Sequence, residues 1–156
     1  MTQVAKEELK RADHLIHISL KYTRTIDVLL SILQRLVSAM EVEIKDVLEE
    51  AKEKGYLKEI QPSPKLRTEQ IRKLFKNSEE ISNLISFYFF LRTVIKAEHA
   101  KKEEFRKNVT LFALDEQGTE FAAVTSETVK EYYKKVDDLI NYMDEFSLTL
   151  KPKRKK

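Results

Sequence analysis

The segment 92-RTVIKAEH-99 sets an arginine and a histidine seven residues apart. On a continuous helix seven residues make almost two turns, so Arg92 and His99 would share one face, with Tyr88 and Glu103 extending it. The pair suits chemistry at a phosphate. Histidine exchanges a proton near neutral pH and can act as general acid or base. A guanidinium holds phosphate oxygens in a planar fork. A second such pair, Arg11 and His17 in 11-RADHLIH-17, is six residues apart, which puts its side chains on different faces of a regular helix. His14 and His17, one turn apart, could share a metal ion with Asp13 or a more distant group, or lie half-buried beside Leu15 and Ile18.

Other chemistries are excluded by what is missing. Without cysteine there is no disulfide, no thiolate nucleophile and no cysteine-ligated zinc. Two glycines, Gly55 and Gly118, cannot build a phosphate-cradling loop. A carboxylate-bridged di-metal bundle wants a glutamate three residues before each histidine ligand, but Arg11 and Lys96 stand before His14 and His99. No cofactor is expected.

The 156 residues suffice for a single domain, assigned here to residues 1–150, followed by a basic tail, 151-KPKRKK-156, expected to be disordered. The net charge of +3 misleads, because five of the 29 basic residues lie in that tail and the body carries 24 basic against 26 acidic residues. Attraction to nucleic acid must therefore come from a local patch or from the tail, where Lys153 and Arg154 are candidate phosphate contacts together with Lys96. No apolar run reaches membrane-spanning length and no signal-peptide core opens the chain, so a cytoplasmic protein is expected. Abundant Lys and Glu with few Gln and Asn give a thermophile-like composition.

The elements that must position these residues are mostly helices. From Val4 to Lys54 nothing breaks a helix, and Leu15, Ile18, Tyr22, Ile26, Leu29, Leu33, Leu36 and Met40 mark one buried stripe. A single helix there would be about 75 Å long at the helical rise, too long for a compact domain, so a bend is expected near 19-SLKYTRT-25. Gly55 suits a helix C-cap, and Ser63 followed by Pro64 starts a short helix through Lys76. Ser78 starts another, expected to run to about Arg106. The period then changes: 109-VTLFAL-114 and 119-TEFAAV-124 read as a hairpin around 115-DEQG-118, and Thr125 or Ser126 caps a last helix through Phe146. The fold class is all-α, a four- to five-helix bundle with a minor β-hairpin (about 109–124) before the last helix. The run 87-FYFF-90 covers every side of its helix and so belongs in the core or at a homodimer surface.

Around 92-RTVIKAEH-99 the chain resembles the HEPN superfamily of small α-helical domains. Members that cleave RNA carry an arginine followed, after four to six residues, by a histidine, and here six intervene. The resemblance implies metal-independent RNA cleavage at a composite site across a homodimer. His99 would be general acid/base, Arg92 would hold the scissile phosphate, and the ribose 2′-hydroxyl would be the nucleophile. Thr93 departs from the strongly polar residue common after the family's arginine, and the hairpin is an elaboration of a minimal member. The leading expectation is a HEPN-like protein that acts on or binds RNA. The alternative is a non-catalytic helical module that assembles with itself or a partner through its aromatic and leucine-rich faces.

Overall fold

The computed structural model describes residues 3–23, 25–102 and 109–153. They form an all-α bundle with a small antiparallel sheet before the last helix, the expected class. α1 (Gln3–His14) continues through a π-helical segment (Leu15–Ser19) into the short α2 (Leu20–Tyr22), making one near-continuous first helix. α3 (Ile26–Glu53), α4 (Pro64–Leu74) and α5 (Glu79–Lys96) follow. Strands β1 (Glu98–Lys102), β2 (Thr110–Leu114) and β3 (Glu120–Val124) then lead into α6 (Ser126–Leu148). Among the described residues no helix is long and apolar enough to cross a membrane.

The bend in the first fifty residues falls within 19–25. Thr23 leaves the helical region at φ −132°, ψ 90°, and Thr25 is extended with its hydroxyl accepting the Val28 N–H at 3.3 Å. Three further helix starts use the same device: the side chains of Ser63, Ser78 and Thr125 accept the N–H three residues on, which satisfies a donor that has no partner inside the helix. Gly55, at φ 89°, turns the chain out of α3 where a side chain would be strained.

α3 is the spine, because its two halves bury into two separate cores. Leu29, Ile32, Leu33, Leu36 and Met40 pack with Ile16, Leu20, Leu91, Val136, Ile140 and the inner face of the sheet. Ile44, Val47 and Leu48 pack with Ile71, Phe75, Ile81, Leu84 and Met143 at the other end. The 87–90 run is used within the chain: Phe87 and Tyr88 are buried, and Phe87 meets Tyr132 edge to face at 5.1 Å.

Three expectations need correction. The helix expected to reach Arg106 stops at Lys96, and 98-EHAKK-102 is instead an edge strand paired antiparallel with β2, so the sheet has three strands in the order β1-β2-β3. The charged stretch has no apolar face to hold a helix against the bundle, while β2 offers a free row of backbone groups beside the buried Leu111 and Ala113. Charges on an edge strand also guard it against pairing with another chain. Second, Ile18 (47% exposed) and Tyr22 (77% exposed) leave the buried stripe, and Ile16 and Leu20 take the core positions. The cause is the phase of the first helix: the buried face of Ala5, Leu9 and Ala12 continues at three- and four-residue steps through Ile16 and Leu20, which leaves Ile18 and Tyr22 outside it. In the π-helical segment the Leu20 N–H reaches back five residues to the Leu15 carbonyl. Third, the short helix expected to reach Lys76 ends at Leu74, with Asn77 in the left-handed region at φ 69° turning the chain toward α5.

The hairpin loop is as read. Asp115 Oδ1 accepts the N–H groups of Gln117 and Thr119, both at 2.9 Å, and Gly118 takes φ 77°. Of the expected tail, Lys153 donates its backbone N–H to the Lys54 carbonyl at 2.8 Å, while Tyr56 Oη donates to the Lys151 carbonyl at 2.6 Å.

Candidate phosphate-binding groove

Arg92 and His99 do not share a helix face, because the helix ends between them. Arg92 is half-buried on α5, its guanidinium 5.5 Å from the centre of the Tyr88 ring, a cation–π contact. Tyr88 Oη donates to Glu41 Oε1 at 2.7 Å. Burial first, and then the Glu41 carboxylate, push the Tyr88 hydroxyl well above its ordinary range, so it stays a donor. The space beside Tyr88, Glu41 and Arg67 is about 10 Å³, room for about one water molecule. His99, in β1, has Nε2 2.7 Å from the Val94 carbonyl. A carbonyl only accepts, so Nε2 carries the hydrogen, and the ring caps one of the last carbonyls of α5. The two residues thus make separate structural contacts.

The remaining expected contacts are also apart. Lys96 is exposed at the end of α5. Lys153 lies against the turn after α3, its ammonium 4.9 Å from the centre of the Tyr56 ring. Arg154, like Glu103 and Arg106, lies outside the described residues.

What the fold does gather is a cluster of polar and charged side chains around the π-helical segment. Lys10, Arg11, Asp13, His14, Leu15, His17, Ile18 and, from α3, Arg35 line an open groove of about 720 Å³. Arg11 and His17, which lie on different faces of their helix, both line the groove because it is wide and open. Beneath them lies Glu8, only 8% exposed, with one carboxylate oxygen on each arginine: Oε1 on Arg11 Nη1 at 2.8 Å and Oε2 on Arg35 Nη1 at 3.3 Å. Both arginine side chains remain about half exposed. His17 Nδ1 is 2.9 Å from the Asp13 carboxylate, which holds the ring one turn along the wall. Tyr22, at the end of α2, carries the Lys21 ammonium 5.8 Å from its ring centre. Sequence reasoning met Arg11, His14 and His17 but missed Glu8, Lys10 and Arg35, since Glu8 and Arg35 are 27 residues apart and meet only when α1 packs on α3. Among the described residues no group of three or more His, Asp and Glu side chains is arranged to hold a metal ion.

A second electrostatic feature lies between α3 and α6. Glu43 is 1% exposed, and neither of its oxygens meets a partner at full hydrogen-bond geometry. Burial, and then the neighbouring Asp144 carboxyl, push its pKa up to about 9. Glu43 is therefore held protonated at neutral pH. One turn beyond Asp144 on α6, Ser147 Oγ donates to Glu50 Oε2 at 3.0 Å, tying the same two helices.

No family model, curated protein or solved structure matches this chain.

Proposed function

We propose that this protein binds RNA, and that the contact is the groove at Lys10, Arg11, His14, His17 and Arg35. The observation that carries the reading is the arginine pair from two helices held on the buried Glu8 carboxylate. A guanidinium fixed in this way loses little side-chain entropy when it takes a phosphate, and each arginine keeps most of its five N–H donors free. The exposed Tyr22 ring nearby in sequence, flanked by Lys21, is the kind of surface on which an unpaired base stacks. This reading keeps RNA as the partner expected from the HEPN resemblance and moves the contact from Arg92 and His99 to α1 and α3. The alternative of an assembly module through aromatic faces is less well supported, since the 87–90 aromatics are packed within the chain.

The test is fluorescence anisotropy of a labelled single-stranded RNA, titrated at several salt concentrations. Arg11→Ala and Arg35→Ala should each weaken binding, and each lost phosphate contact should flatten the salt dependence by about 0.7 in log–log slope. Binding that survives both substitutions but is lost in Arg92→Ala and His99→Ala would return the contact to α5 and β1 and overturn the assignment.

A further inference from the structure

We infer that the groove recognises a phosphate monoester, the phosphorylated end of a strand, rather than the internal phosphodiester backbone; this rests on the RNA-binding reading above. The cations do not form a track. They converge: Arg11 from α1 and Arg35 from α3 sit on the two oxygens of one carboxylate, so both guanidinium groups are anchored at one point. Lys10, His14 and His17 line the same groove, as does Asp13, whose carboxylate lies 2.9 Å from His17 Nδ1. An internal phosphodiester offers one charge and two free oxygens, whereas a monoester offers up to two charges and three strong acceptor oxygens. Two adjacent planar forks match the monoester, because each can take a different pair of its oxygens. A strand bound along its backbone would instead need cations repeated at phosphate spacing.

The volume agrees. About 720 Å³ falls in the range of small-molecule sites and would take a single terminal nucleotide. Leu15 and Ile18 provide an apolar stretch of wall for its sugar or base, and Ile18 is 47% exposed. Glu8 acts as a positioning residue. It touches no ligand, but its buried charge sets the spacing of the two guanidinium groups and offsets one of their charges. That offset keeps the groove from being a general polyanion trap.

The experiment compares four ligands by equilibrium titration with the full chain: one RNA oligonucleotide with a 5′-phosphate, the same with a 3′-phosphate, the same with neither, and a nucleoside monophosphate. A phosphorylated end should bind at least about tenfold more tightly than the unphosphorylated strand, as expected for one added charge-assisted contact. Arg11→Lys and Arg35→Lys keep the charge but lose the fork, and should abolish that preference while circular dichroism stays unchanged. Glu8→Gln should raise affinity for the unphosphorylated strand and reduce the preference, a pair of changes that simple loss of folding would not produce. Equal affinity for all three oligonucleotides overturns the monoester inference and leaves RNA binding standing. Binding of the mononucleotide without any oligonucleotide overturns the RNA reading and, with it, the assignment to a strand end. Failure of all four ligands overturns both.

Discussion

Replacing Glu43 with glutamine should stabilise this protein in a strongly pH-dependent way. The folded chain holds the Glu43 proton up to about pH 9, against an ordinary value of 4.5. Between those values the folded state binds more proton than the unfolded state, so this group makes stability fall as pH rises through the window. Each pH unit is worth about 1.4 kcal/mol. At pH 7 the penalty is about 3 kcal/mol, because the unfolded carboxyl is ionised and folding must re-protonate it. Glutamine has nearly the same shape and carries no charge. Glu43→Gln should therefore gain up to about 3 kcal/mol at pH 7, and the gain should shrink toward zero near pH 4.5. Urea unfolding of both proteins at half-unit steps from pH 4.5 to 8.5 measures the difference, and any fixed cost of burying the amide drops out of its slope. Parallel stability profiles across that range would refute the reasoning, since Glu43 would then titrate alike in the folded and unfolded chains.

Two substitutions test the contacts assigned to the α5–β1 region. His99→Ala should cost about 1 kcal/mol by uncapping the Val94 carbonyl, read by chemical denaturation, and should leave RNA affinity unchanged. Tyr88→Phe should cost about 2 kcal/mol at neutral pH, because Glu41 loses the hydroxyl donated at 2.7 Å while the ring stays under Arg92. A much smaller loss, by the same denaturation assay, would mean that the hydroxyl is not held by Glu41.

Much of the bundle is legible residue by residue. Ser63 before Pro64, Ser78, Thr125 and Gly55 mark helix ends, and 115-DEQG-118 marks the hairpin loop. The Ser and Thr residues of 19–25 mark the break between α2 and α3. These signals are readable because each is a hydrogen bond or a backbone angle settled among residues within one turn of each other. The groove is another matter. A charged stretch such as 96–102 carries no apolar period, so whether it coils or extends was decided by the free edge of β2, and that choice separated Arg92 from His99. The π-helical turn has no local signature, and Arg11, His14 and His17 become part of one groove only with Arg35 of α3 beside them. By itself the sequence determined the capped helix starts and the hairpin loop, but not where every helix stops. Tertiary packing decided which charges meet, because Glu8 and Arg35 become neighbours only when α1 lies along α3.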